Sequence, residues 1–427
     1  MPVKTRRATD EENPGYATMK TAASSVEAPP RRRPAAVIAV AQLLGTSLWF
    51  SANGAGPDLA AAWNVSASHI GWLTGAVQAG FIAGTLLLAV FGLADRYPAS
   101  RVFALSTVLG AVFNGLFALA AHGLGEAMAY RFLVGLSLAG IYPLGMKLIV
   151  SWEPGRTGMA LAQLVAMLTL GTALPHLLRE LGTGLPWQSV VLASSVLALT
   201  GGLLILKLGD GPYLPARRSA DDRKQQAPPA RPNVMSAFRV RKFRAAAWGY
   251  FGHMWELYAF WTVVPVLAAR TDLTSFFPFV GIPGISFAII AVGALGCILG
   301  GRLTRRYGSA PVALGALFMS GLAGGMFALF WHDLPPLAIA VLLLVWGASV
   351  VADSPQFSAL SARACPPEIV GSALAIQNSI GFAITVVSIA LTTSVLERIG
   401  LDATWILVPG PVIGLLGYVL TARSIRD

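Results

Sequence analysis

Charge and cysteine are both scarce in this chain, and each scarcity removes a class of protein. Only 12% of the 427 residues are charged, about half the fraction of an ordinary soluble domain. A surface so poor in charge does not hold a globule of this size in water. The two cysteines, Cys297 inside an apolar run and Cys365 in a short polar stretch, support neither a disulfide framework nor a thiolate metal site. The five histidines, at positions 69, 122, 176, 253 and 332, show no His-x-x-x-His or His-Cys spacing, and no Gly-Lys-Ser/Thr phosphate loop occurs. These are the patterns that zinc chemistry and nucleotide hydrolysis need, so neither an enzyme nor an ATP-driven pump is supported, and no cofactor or metal is expected.

What the chain has is apolar length. Hydrophobic residues make up 55% of it, gathered in runs of about twenty, the number a helix needs to cross roughly 30 Å of hydrocarbon. The pattern predicts an all-α integral membrane protein with twelve spans, at 34–56, 69–93, 101–122, 126–151, 158–179, 187–208, 243–269, 280–302, 310–331, 335–361, 368–396 and 403–423. An even number puts both termini on one side. Of the 31 Lys and Arg, three (Arg179, Arg270 and Arg398) fall in loops on the opposite side, Arg131 lies inside a span, and the rest sit on the terminus side. Basic residues are retained in the cytoplasm, so both termini are expected to be cytoplasmic and the protein to reside in the plasma or inner membrane.

The formal charge of +11 therefore marks a lipid surface and not nucleic acid. Residues 1–33 are polar and Pro-rich, read as a disordered cytoplasmic tail with Arg31, Arg32 and Arg33 anchoring the first helix end. Residues 209–242 interrupt the apolar pattern with many basic residues, a linker suited to an anionic leaflet. The expected domains are thus a tail, a bundle over 34–208, this linker, and a second bundle over 243–427.

The two bundles carry a repeat. Phe91-Gly-Leu-Ala-Asp95-Arg96-Tyr97-Pro98 aligns with Gly301-Arg-Leu-Thr-Arg305-Arg306-Tyr307-Gly308 at an offset of 210, and Pro57-Asp-Leu-Ala-Ala with Pro265-Val-Leu-Ala-Ala. Pro143, Gly158 and Ala160 match Pro355, Gly371 and Ala373 at nearly the same spacing. Internal symmetry of this kind is a feature of secondary transporters.

On these residues the chain resembles the major facilitator superfamily. Leu93-Ala94-Asp95-Arg96 matches that family's loop motif between helices two and three, with Phe91 and Pro98 at its two glycine positions; the second copy has Gly301 and Gly308 there, but Arg305 in place of the acid. The resemblance implies a pseudo-symmetric pair of six-helix bundles moving a small solute by alternating access. It also implies that Asp95 and Arg96, with Gly301, Arg305, Arg306 and Gly308, form gating turns in which an acid accepts hydrogen bonds from a helix N-terminus. Arg131-Phe-Leu-Val-Gly135 resembles the family's Arg-x-x-x-Gly motif.

Ionisable groups within spans are costly and usually functional. In the seventh span Tyr250, His253, Glu256, Leu257 and Phe260 fall on one face at about 100° per residue. His253 and Glu256 lie roughly 15 and 20 Å from the cytoplasmic end at 1.5 Å per residue, near the membrane centre. Imidazole is the side chain that changes charge between pH 5 and 8. The two are expected either to share a proton or to form a static hydrogen-bonded pair that fixes the seventh helix to a neighbour. Asp353, in Val351-Ala352-Asp353-Ser354-Pro355, either lines the cavity, or caps a helix broken by the proline or contacts a cytoplasmic loop. Arg131 either ties down backbone carbonyls or attracts an anion and takes part in proton transfer. Asn53, Gln78, Asn114, Gln163 and His176 are candidates for the pathway or for interhelical contacts, and Trp49, Phe50, Tyr250, Trp255 and Trp261 for packing. The expected solute is a small anion or carboxylate carried with protons, with lipophilic solutes as the alternative and a non-transporting sensor on the same scaffold less favoured; the expected state is a monomer.

The charge asymmetry makes a direct prediction. Reporter fusions ending at Arg223 and at Asp427 should report the cytoplasm, and one ending at Asp333 the outside. An external signal at Arg223 would break the six-plus-six arrangement.

Overall fold

A chain that must satisfy its backbone inside a membrane without water has helices as its simplest solution, and the computed structural model of this protein is built from them. It describes residues 33–153, 157–214, 234–365 and 369–423. The expectations for the tail at 1–32 and for most of the basic linker, 215–233, lie outside the described residues.

Twelve spans follow in chain order. The first is α1 (Pro34–Thr46, continued by Ser51–Gly54 and Gly56–Trp63), followed by α2 (Ala67–Val90) and α3 (Ala99–Ala120). Next come α4 (Leu124–Leu138 and Tyr142–Trp152), α5 (Thr157–Leu181) and α6 (Gln188–Leu208). The second half holds α7 (Arg241–Arg270), α8 (Ile282–Tyr307), α9 (Ser309–Phe330), α10 (Pro336–Ser349 and Ser354–Ala364), α11 (Val370–Ile399) and α12 (Pro409–Arg423). Among the described residues nine stretches are long and apolar enough to cross a membrane by themselves, one of which, Val370–Ala422, holds both α11 and α12. The two spans outside these nine are α1, whose leading segment is short, and α7, which carries His253 and Glu256.

Three spans are broken, and the breaks have identifiable causes. Each inner segment of α4 and α10 has a proline at its second residue, Pro143 and Pro355, where the missing N–H costs nothing because no intrahelical partner exists there. The repeat seen in sequence is thus a repeat of helix breaks. The break in α1 spans residues 47–50 and contains no proline. There the Thr46 hydroxyl donates to the Gln42 carbonyl at 2.8 Å and the Ser47 hydroxyl to the Leu44 carbonyl at 2.7 Å, a back-bonding that bends helices. The expected first span, 34–56, had no such interruption.

The halves meet along two helix pairs, α5 with α8 and α2 with α11. Small residues permit the approach: a Cβ on Gly71 would crowd Thr393, one on Gly293 would lie 3.2 Å from the Thr169 methyl, and one on Gly301 would lie 3.0 Å from the Ala162 methyl. Within the first half α2 and α4 interlock still more closely. A Cβ on Gly80 would collide with the Phe132 carbonyl, and one on Gly135 with the Val77 carbonyl. This contact gives the glycine of Arg131-Phe-Leu-Val-Gly135 its physical reason.

Gly135→Val should therefore cost about 1–3 kcal/mol through overpacking, read as a lower melting temperature of the purified protein. A melting temperature equal to that of the parent would mean that α2 and α4 are free to separate.

Candidate substrate and proton site

The centre of the molecule is organised by the break in α1. Unwinding at residues 47–50 leaves carbonyls without helical donors, and Arg131 of α4 supplies them. Its Nη1 donates to Leu48 O at 3.1 Å, Ser51 Oγ at 2.9 Å and Asn114 Oδ1 at 2.9 Å; its Nη2 donates to Leu48 O at 3.1 Å and Trp49 O at 2.5 Å. Arg131 is fully buried, with its guanidinium carbon 5.6 Å from the centre of the Phe117 ring. Of the two expectations for this arginine, the geometry matches the tie to carbonyls. Both terminal nitrogens are occupied by neutral acceptors of α1 and α3, so the anion-attracting role does not fit this arrangement. Asn114, expected either in the pathway or between helices, completes the knot: its Nδ2 donates to Val191 O at 2.9 Å and Ser195 Oγ at 3.1 Å.

The unwound turn presents Trp49 and Phe50 to the second half. Trp49 stacks on Tyr258 of α7 and on Phe382 of α11, with ring centres 5.7 and 5.8 Å apart. Phe50 meets Trp261 edge-on at 6.1 Å, and Phe81 of α2 lies 4.4 Å from Phe382. All six rings are buried. Trp49, Phe50 and Trp261 were expected to pack; that the packing crosses between halves, and that Phe81, Tyr258 and Phe382 belong to it, was not anticipated. One signal was present: Phe382 is a lone aromatic in α11, among small and aliphatic residues.

On α7 the expected pairing is replaced by two separate contacts. His253 Nδ1 lies 2.8 Å from Asp353 Oδ1, joining α7 to the break in α10. Glu256 instead accepts from the Ser320 hydroxyl of α9 at 2.8 Å and from Trp346 Nε1 of α10 at 2.7 Å. The expected His253–Glu256 pair is therefore not formed. Residues three apart share a face broadly, but here that face is met by two neighbours and each side chain takes the nearer one. Asp353 occupies the N-cap position of Ser354–Ala364, yet its side chain makes no capping hydrogen bond, which leaves it turned to His253. Apart from their mutual contact, His253 and Asp353 have no hydrogen-bond partner in another side chain among the described residues, although both are buried. Buried polar atoms are nearly always bonded, so these have unused capacity for a ligand or a proton.

The other expected residues lie around this centre in different roles. Tyr250 is buried with its ring 6.1 Å from that of His253, against α11, where a Cβ on Gly381 would meet it at 2.6 Å. Asn53 Nδ2 donates to Thr74 Oγ1 at 2.9 Å, joining α1 to α2, and the Trp49 Nε1 donates to Gln78 Oε1 at 3.3 Å. Gln163 is exposed and His176 is buried. In the loop copies, the backbone of Asp95 lies in the short helix Leu93–Arg96, which follows Gly92 at φ 59°; its side chain lies outside what is described. Arg96, Arg305 and Arg306 are exposed, and Gly308, at φ 84°, makes the turn from α8 into α9, a conformation that favours glycine.

The family profile of the Major Facilitator Superfamily matches residues 38–421. The chain belongs to that superfamily of membrane transporters. It is 27% identical to the 3-(3-hydroxy-phenyl)propionate transporter of Escherichia coli over 295 residues, which is 68% of each chain. It is also 30% identical to the niacin transporter NiaP of Acinetobacter baylyi over 173 residues, and 35% identical to a putative metabolite transport protein of Haemophilus influenzae over 132 residues. These last two matches cover 38% and 28% of this chain, and 36% and 31% of the relatives.

The contacts of Glu256 generate a prediction that separates a static role from proton carriage. In Glu256→Gln the amide oxygen can still accept from Trp346, and the amide nitrogen can donate to the Ser320 hydroxyl, which both donates and accepts. Stability and transport should stay close to those of the parent. Glu256→Ala strands the buried indole N–H and should cost about 1–3 kcal/mol. Loss of transport in a folded Glu256→Gln variant would mean that the carboxyl of Glu256, and not only its hydrogen bonds, is needed.

Proposed function

We propose that the protein carries a small aromatic carboxylate across the inner membrane by alternating access, together with a proton, with both termini in the cytoplasm. The observation that carries this reading is the His253–Asp353 contact, 2.8 Å long and without another side-chain partner among the described residues, its histidine on the same helix, α7, as Tyr258 and Trp261 of the ring cluster that both halves build. The names of two relatives, transporters of a hydroxyphenylpropionate and of niacin, agree with a flat ring bearing a carboxylate.

The chemistry follows from competition. With Asp353 ionised, it holds the imidazolium of His253 and leaves no cation for a second carboxylate. A proton taken up by Asp353 removes that competitor, and the imidazolium is then free to pair with the carboxylate of the solute. One proton and one anion therefore enter together, and neither is favoured alone. The ring of the solute slots among Trp49, Tyr258 and Phe382, where offset stacking contributes about 0.5–1.5 kcal/mol per aromatic pair. Arg131 serves by holding Trp49 and Phe50 in place, while Asp95, Arg96 and the second-half turn at Gly301, Arg305, Arg306 and Gly308 act as the terminus-side gate.

Proteoliposomes test this with nicotinate and 3-(3-hydroxyphenyl)propionate as probes. Asp353→Asn should exchange labelled solute across the membrane yet fail to concentrate it under a pH gradient, because exchange needs movement without net protonation change. His253→Gln should raise the KM by about tenfold or more, the loss of a charge-assisted hydrogen bond. Concentration of either probe by Asp353→Asn would rule out this pair as the proton carrier. Transport of neutral aromatic amides in preference to the acids would favour the lipophilic alternative.

A further inference from the structure

On the face away from the termini, the two helix pairs that join the halves end in the same arrangement. At the last turn of α5, Glu180 accepts from the backbone N–H of Gly281 through Oε1 at 2.8 Å and of Gly284 through Oε2 at 3.0 Å, at the start of α8. At the last turn of α11, Glu397 Oε1 accepts from the Ser68 N–H at 2.7 Å, at the start of α2. Under the repeat α5 corresponds to α11 and α8 to α2. Both contacts therefore set a carboxylate from one half on a helix N-terminus of the other, and the two run in opposite directions between the halves.

Each recipient is fitted to its carboxylate. The first turn of a helix has N–H groups without intrahelical acceptors and a partial positive charge. In α8, Pro283 has no N–H, and the N–H groups of Gly281 and Gly284 go to the two oxygens of Glu180. Both donors are glycines, which leaves room for the carboxylate: a Cβ on Gly281 would lie 2.8 Å from Glu180 Oε2, and one on Gly284 would lie 3.0 Å from its carboxyl carbon. In α2, Ser66 and His69 form a reciprocal capping box, and the intervening Ser68 N–H is the donor that Glu397 takes. The local sequences are related, Leu178-Arg-Glu-Leu-Gly182 and Leu396-Glu-Arg-Ile-Gly400, but acid and base have exchanged order. In the first copy the arginine turns back into its own half, with Arg179 Nη2 2.8 Å from Asp58 Oδ1. The carboxylate crosses in both copies.

We propose that Glu180 and Glu397 are paired gate residues that hold the face away from the termini closed. Separation of the halves at this face breaks all three charge-assisted hydrogen bonds together and leaves both carboxylates and both helix starts to water. Rocking at the opposite face leaves them intact. The role is independent of which solute is carried and of whether protons drive it.

Spin labels at His122→Cys and Asp333→Cys, one in an outer loop of each half, report the opening of this face in lipid nanodiscs once Cys297 and Cys365 have been replaced by serine. The labelled parent should give predominantly one short distance. Glu180→Ala with Glu397→Ala should raise the longer-distance population about tenfold, in keeping with the worth of charge-assisted contacts at helix starts, and Glu180→Gln with Glu397→Gln, which keep neutral acceptors, should fall between. Asp58→Ala breaks an ion pair at the same face within one half and should leave the distances unchanged. Distances in the double alanine variant equal to those of the parent, or an equal shift in Asp58→Ala, would overturn the assignment. Should the double variant fail to fold, the two single alanine variants make the same comparison, and unchanged distances in both would overturn it.

Discussion

The grip of Arg131 on the carbonyls of Leu48 and Trp49 is the contact on which the centre of this protein depends. A helix cannot unwind in the middle of a membrane unless its freed carbonyls find donors, and the guanidinium carries enough of them in a fixed plane to serve several at once. Without it the turn at residues 47–50 would rewind or collapse. Because the turn is held open, two consecutive aromatic residues, Trp49 and Phe50, project towards α7 and α11 instead of dispersing around a regular helix. A buried charge that looks like a binding group in sequence is the brace of a surface made from uncharged rings.

The second half solves the same problem of buried polarity differently. There α7 is fastened to α9 and α10 by Glu256, whose two oxygens are both engaged, and touches α10 again through His253 and Asp353, whose remaining atoms are not. One contact is saturated and the other is not, although they lie one turn apart. In the proposed cycle the saturated contact keeps the bundle rigid while the unsaturated one exchanges its partner. His253 and Glu256, with the Tyr, Trp and Gly residues around them, lower the mean hydropathy of α7 and leave it outside the stretches apolar enough to be recognised as spans by composition alone.

The architecture was legible because its signals are local. Twelve spans, the six-plus-six repeat and the interruption before Pro355 all rest on apolar length or on proline, and each acts through its own stretch of chain. The break in α1 was not legible, since its partner is an arginine more than eighty residues away and its local cause is a pair of hydroxyls that elsewhere continue a helix. Distance in sequence likewise hid the pairing of His253: Glu256 stood three residues away and Asp353 a hundred, and only the packing of α7 on the broken α10 decides between them. Glu180 and Glu397 stand one residue beyond the expected spans 158–179 and 368–396, and the exchange of acid and base between the copies masks their correspondence.

The unequal division of buried charge between the halves has an electrical consequence. The first half carries Arg131 buried in its interior, tied to neutral groups, while the second carries Glu256 and Asp353, which are buried to the same degree. A charge moved through the full membrane potential changes in energy by about 2.3 kcal/mol per 100 mV. If the halves rock against each other, the fixed cation and any carboxylate that is ionised shift within that field, and the resting voltage acts on the halves themselves as well as on anything bound between them. Neutralising an acid in the second half then alters the gating charge of the moving bundle, so that protonation and voltage act on the same coordinate.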